Sequence, residues 1–164
     1  FINDRSGFMT ALVKDVRTFL RECDRLGKLP ALRLNGTSDI QWETIEVEGH
    51  TNIFELFPQI QFYDYTKIPT RKVEHIPNYH LTWSYSEAND KYATLFDKVS
   101  DNIAVVFRDA LPKMFRGLKV IDGDKHDMRF LDKSGVVVGL IEKGEAKKDT
   151  SGFVIDLIKA RAIA

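Results

Sequence analysis

The densest run of groups able to do acid–base or metal chemistry is Asp122, Asp124, His126 and Asp127. Three carboxylates and one imidazole fall within six residues. Oxygen and nitrogen donors in that mixture suit a divalent cation, with Asp124 and His126 as the metal-binding pair. Asp and His also suit a general acid and base, so all four are candidate catalytic residues. The same composition suits a solvated turn, since Asp and Gly favour turns. If the preceding strand ran on through His126, alternation would split the cluster between two faces.

A second group follows a short apolar strand at 31–34, which stops in Asn35-Gly36-Thr37-Ser38-Asp39. Short polar side chains and open backbone N–H groups could hold a small polar ligand there. In α/β proteins the crevice beyond the strand carboxyl ends is where ligands bind. Ser38 or Asp39 could instead cap a following helix. Asp64, between Tyr63 and Tyr65, is a polar anchor if it points inward and a surface residue if it points outward. Ser84 and Glu87 extend the candidate rim after the next strand, while Ser86 suits a helix cap and His80 a core position. Glu145-Ala146-Lys147 is an E-x-K that, with Asp124, would suit a metal-dependent nuclease if it lay on a strand. It follows Gly144 in a polar stretch, which reads as a charged loop.

The elements that must position these groups alternate. A long amphipathic helix spans 4–28, with Phe8, Leu12, Val16, Phe19, Leu20 and Cys23 at helical spacing. Strands are predicted at 31–34, 59–65, 79–85, 102–107, 119–122 and 136–141. Helical turns are predicted at 40–45, 53–57 and 112–116, a helix at 87–99 and a closing helix at 153–162. Such alternation predicts an α/β fold, an incomplete (β/α) barrel or an open, mostly parallel sheet flanked by helices. There is no G-x-G-x-x-G and no G-x-x-x-x-G-K-[ST], so the familiar phosphate cradles are absent.

The composition bounds the class. The 164 residues suit a single domain, and 43% hydrophobic with 29% charged residues is an ordinary globular balance. Lys plus Arg equals Asp plus Glu, 24 each, which disfavours a dedicated electrostatic nucleic-acid binder. The single cysteine, Cys23, can form no internal disulfide and no thiolate cluster site alone, and a cytoplasmic location is expected. No apolar run approaches the ~20 residues of a membrane helix. The chain begins at Phe1 rather than Met, and an N-terminal segment upstream is expected.

Several separate motifs carry a family resemblance. They are Leu32-Arg33-Leu34-Asn35-Gly36-Thr37-Ser38-Asp39-Ile40 with Trp42-Glu43; Gln61-Phe62-Tyr63-Asp64-Tyr65-Thr66-Lys67; and Asn78-Tyr79-His80-Leu81-Thr82. Val120-Ile121-Asp122-Gly123-Asp124, His126-Asp127, Arg129-Phe130 and Ser151-Gly152-Phe153-Val154 complete them. Together they resemble a family of bacteriophage and plasmid proteins named after mycobacteriophage gene product eighty-eight. The resemblance implies a phage-type protein working in the host cytoplasm, and its members usually carry an upstream cysteine-rich segment.

A looser similarity is to radical S-adenosylmethionine barrels. Gly135-Val136-Val137-Val138-Gly139-Leu140-Ile141-Glu142 matches their G-x-I-x-G-x-x-E pattern with Val137 for Ile. The Asn35-to-Asp39 loop sits where their Gly-rich element would. S-adenosylmethionine and an iron–sulfur cluster are implied only if an upstream cysteine segment exists. The sequence thus points to a small-ligand or metal site at the strand ends. A non-enzymatic phage protein acting on host machinery, or a metal-dependent nucleic-acid enzyme, is the alternative.

Overall fold

The computed structural model describes residues 3–68, 70–85 and 102–158. The chain divides into two compact units, Phe1–Tyr63 with Lys72–His80, and Asp64–Arg71 with Leu81–Ala164. No described helix is long and apolar enough to cross a membrane.

The first unit is led by α1, Arg5–Leu26. Asp4 caps it by accepting from the Gly7 N–H at 2.8 Å, and Gly27 closes it in the left-handed conformation at φ +61°. Its buried stripe is Met9, Val13, Val16 and Cys23. Val16 and Cys23 are as predicted, whereas Met9 and Val13 are buried in place of Phe8 and Leu12, and Phe8 lies at the margin, stacked on Trp42. After the two-residue strand β1, Ala31–Leu32, comes the short helix α2, Ile53–Leu56, capped by Asn52. Phe54 of α2 stacks on Tyr79 at 4.1 Å and meets Phe62 edge-on at 5.0 Å. The Asn78 amide donates to the carbonyls of Phe54, Phe57 and Ile60, which α2 and its exit leave without helical partners.

The remaining strands are β2 Gln61–Thr66, β3 Tyr79–Ser84, β4 Ile103–Phe107, β5 Met114–Phe115, β6 Leu118–Asp122, β7 Val136–Ile141 and β8 Val154–Ile155. Their order is β1-β2-β3-β4-β7-β6-β5, with β8 also on β4. Pairings β1/β2, β3/β4, β4/β7, β6/β7 and β4/β8 are parallel, and β5/β6 is antiparallel. The sheet is thus mostly parallel, and its path has two ends, β1 and β5. In the second unit Ile103, Val105, Phe107 and Val137 form the centre of the core, flanked by Trp83, Phe115, Val120 and Ile155. The near-continuous apolar reading of β4 and β7 matches strands buried on both faces.

β7 occupies one side of β4 along its whole length, Ile103↔Val137 to Phe107↔Ile141. The other side is shared. β3 pairs only at Ile103 and Ala104, and β8 takes over at Val106 and Phe107.

One predicted helical piece contains a strand, and another opens with one before turning helical at 157–158. Residues 112–116 contain β5, because Arg116 and Gly117 both take positive φ, 48° and 80°, and make the tight turn that a twisted hairpin needs. Residues 153–162 open with β8, because the Asp149 carboxylate gathers the N–H groups of Ser151, Gly152 and Val154 and turns the chain back onto β4. Residues 159–162 and the predicted helix 87–99 lie outside the described residues. Gly139, central to the S-adenosylmethionine-like pattern, has a packing reason. A Cβ there would stand 2.7 Å from Val120 and 2.8 Å from Leu111.

Candidate functional site

The parallel register aligns the first residue after each of three neighbouring strands. Phe107 is level with Ile141 and with Ile155, so Arg108, Glu142 and Asp156 follow at one height across β4, β7 and β8. Beyond them, after β6, Lys143 pairs with Asp124 at 2.7 Å. The carboxyl edge of the second unit therefore carries charges in the sequence Asp156, Arg108, Glu142, Lys143, Asp124, alternating in sign.

Arg108 is held from behind. Its Nη1 donates to the Lys147 carbonyl at 3.1 Å and its Nη2 to the Asp149 carbonyl at 2.9 Å. Its charged neighbours stand farther off, with Glu142 Oε1 at 4.0 Å and Asp156 Oδ2 at 3.7 Å. Both are ion-pair distances without a hydrogen bond. Glu142 is buried; its Oε1 accepts weakly from the Asp109 N–H at 3.4 Å, and its Oε2 has no hydrogen-bond partner. A cavity of about 210 Å³ opens beside Arg108, lined also by Asp149, Thr150, Gly152, Val154, Ile155 and Asp156. The Asp149 carboxyl is pulled down to about 2, first by the Ser151 hydroxyl and then by the Val154 N–H.

The predicted Asp122-to-Asp127 cluster lies at the β6 end of this edge, and each member is engaged. Asp122 accepts from the Asp124 N–H at 3.0 Å, starting a 3₁₀ turn at Gly123–Lys125. Asp124 accepts from the Ile141 N–H and from Lys143 Nζ. The Lys143 ammonium is the main reason its carboxyl lies below the usual range, with the Ile141 N–H adding to it against partial burial. A cation binding at Asp124 would have to displace Lys143. Asp127 accepts from the Tyr65 hydroxyl at 3.1 Å.

His126 meets Arg129, whose Nη2 lies 3.2 Å from Nδ1 and also reaches the His126 carbonyl. A guanidinium has only hydrogens to offer, so Nδ1 holds the lone pair and Nε2 carries the proton, facing Asp132 Oδ1 at 3.8 Å. Arg129 is fully buried, with Nη1 3.3 Å from Asp132 Oδ2 in an ion pair out of hydrogen-bond alignment. Among the described residues no three His, Cys, Asp or Glu side chains are grouped to hold a metal.

The other predicted residues are distributed as follows. Asn35, Gly36, Thr37, Ser38 and Asp39 belong to the first unit, and Asp64, Ser84 and the Asp122-to-Asp127 cluster to the second. The Asn35 side chain is buried and bonded within its own loop, whereas Gly36, Thr37 and Ser38 are exposed. Tyr65 faces Asp127, so strand alternation puts the buried Asp64 on the opposite face of the sheet. Ser84 is level with Ala104 and points away from the core that Trp83 joins. Glu87 lies outside the described residues. Glu145-Ala146-Lys147 sits in a 3₁₀ turn, Gly144–Lys148, and not on a strand.

Arg108, Asp149 and Asp156 are not among the residues that the sequence motifs single out. The available signal was the charged residue directly after each apolar run, Phe107-Arg108 and Ile155-Asp156 like Ile141-Glu142. Reading 153–162 as a helix concealed the last of these.

The sequence profile described as Gene product 88 matches residues 1–157. No curated protein and no solved structure matches the chain.

Proposed function

The chain belongs to the phage family Gene product 88, and we propose that it binds a small polar ligand outside the carboxyl ends of β4, β7 and β8. One observation carries this reading. Arg108 stands between Glu142 and Asp156 with no hydrogen bond to either, and the buried Glu142 Oε2 has no donor at all. Arg108 lines the cavity, and the Lys147 and Asp149 carbonyls use only two of its guanidinium N–H donors, so the arrangement favours a ligand that brings an acceptor to it. The parallel strand ends and the adjoining cavity are where an open α/β sheet takes its ligands. Arg108 and Asp156 would contact the ligand, and Glu142 would set the charge behind Arg108. Asp124 and Lys143 would form the far border of the site.

The test is a nitrogen-15 amide spectrum of the full chain titrated with free amino acids, nucleoside monophosphates and dicarboxylates in separate sets. Saturable shifts at Arg108, Gly152, Val154 and Asp156 are expected with one set. Shifts confined to other residues, or none with any set, would overturn the proposal.

A further inference from the structure

We infer that the first unit carries a ligand site of its own, which takes an alkylammonium ion: a short apolar chain ending in a primary amine. The site is built only from residues of the first unit, whereas the one proposed above belongs to the second. Its seat is a cavity of about 420 Å³ between one face of α1 and residues 46–48. That is within the range of small-molecule sites.

The walls are fixed before any ligand arrives. Met9 and Val13 stand one turn apart on α1 and, with Val47, are buried, so they give the cavity an apolar floor. Opposite α1, Val47 and His50 exchange both backbone hydrogen bonds, at 3.1 and 2.9 Å, around Glu48 and Gly49. Those two residues take positive φ, 47° and 80°, as a tight two-residue turn requires. Arg17 of α1 donates from Nη1 to Glu48 Oε1 at 3.2 Å and from Nη2 to Oε2, which ties the turn to the helix.

The polar lining consists mainly of acceptors. Thr10 Oγ1 commits its hydrogen to the Ser6 carbonyl at 3.0 Å, which leaves its lone pairs for a donor. Ser6 adds a second hydroxyl. The Glu46 carboxylate can only accept, and among the described residues it has no hydrogen bond or ion pair. The other charged groups of the lining are engaged, Glu48 with Arg17 and Arg5 with a partner of its own. An ammonium has three N–H donors and no acceptor, so it matches this lining. A carboxylate would bring acceptors to acceptors. The amino end of α1 does not reverse that preference, because the Asp4 carboxylate already caps it, accepting from the Gly7 N–H at 2.8 Å. With the ammonium at Glu46, the carbon chain lies on the floor of Met9, Val13 and Val47.

The experiment titrates the full nitrogen-15 chain with n-butylammonium, n-butanol and butyrate. The three share one carbon chain and differ in the charge and hydrogen bonding of its end. Butylammonium should shift the amides of Met9, Thr10, Glu46 and Val47 saturably, and the other two should bind roughly tenfold more weakly or worse. Glu46→Gln, at an exposed position, should weaken butylammonium by a similar factor and erase its preference over butanol. A fourth probe, Nα-acetyl-lysine methylamide, presents the same ammonium on a peptide. Tighter binding than butylammonium assigns the ammonium to the lysine of a protein partner, and equal or weaker binding to a free amine.

If neither amine moves these amides, the proposal is overturned. It is overturned as well if butanol or butyrate binds as tightly as the amines, or if Glu46→Gln leaves their affinity unchanged. None of these outcomes bears on the site at Arg108.

Discussion

The indole Nε1 of Trp42 donates to the side-chain carbonyl of Asn35 at 3.0 Å in the buried interior of the first unit. The same oxygen receives Ser38 Oγ at 2.9 Å and the Ile40 N–H at 3.0 Å, and the Asn35 amide returns a bond to the Ile40 carbonyl. One asparagine thus organises the loop that follows β1.

Asn35→Ala removes the acceptor for three donors at once. A loss of roughly 2–4 kcal/mol is expected in urea unfolding, against less than about 1 kcal/mol for Ser38→Ala, whose hydroxyl is exposed. An Asn35→Ala chain of unchanged stability would remove this structural role and return the loop to the list of ligand sites.

Gly123 follows β6 where a side chain has no room. An added Cβ would stand 2.5 Å from Val138 Cγ1 and 3.0 Å from both Arg129 Nη1 and the Gly139 carbonyl. Gly123→Ala should cost about 1–3 kcal/mol, measured by thermal unfolding. Gly36→Ala meets nothing within 4 Å and should stay within about 0.5 kcal/mol of the wild type.

Arg129 and Asp132 form a buried ion pair. Arg129→Met leaves the Asp132 carboxylate without its cation and should destabilise by about 3–5 kcal/mol. Arg129→Met combined with Asp132→Leu should recover at least about 1 kcal/mol of that, because both buried charges are then gone. A double variant no better than Arg129→Met alone would show that the pair matters through packing instead.

Acid should weaken the turn before β8. The Asp149 carboxyl ionises at about 2 in the folded chain against 3.8 for an unperturbed group. A folded value below the unfolded one means that the ionised form favours folding. Its contribution is complete above about pH 4 and disappears as pH falls toward 2. Asp124, lowered chiefly by Lys143, loses its contribution in acid as well. Asp149→Asn should therefore be less stable than wild type at pH 7 and nearly equal to it at pH 2, as read by denaturant midpoints.

The strands were legible where apolar runs were long. β7 occupies the predicted 136–141, and β4 differs from its prediction by one residue. β5 and β8 were not, because two residues carry no periodicity and their pairing depends on turn geometry at Arg116, Gly117 and Asp149. The stripe of α1 keeps the predicted Val16 and Cys23 but takes Met9 and Val13 over Phe8 and Leu12 in its first half, because the sequence shows spacing but not which edge of the face meets a partner. The Asp122-to-Asp127 cluster was visible as a run of chemistry. The charged row across β8, β4 and β7 was not, since its members are far apart in the chain and only the strand register brings them level.

The two residues of β8 do more than extend the sheet. They cover the half of one side of β4 that β3 leaves unpaired, at Val106 and Phe107. Without them the most apolar strand of the second unit would present open N–H and C=O groups to any passing strand, a template for self-association. The turn at Asp149 is therefore also a guard against aggregation. Acid that loosens it should show as sheet-to-sheet assembly before the rest of the chain unfolds.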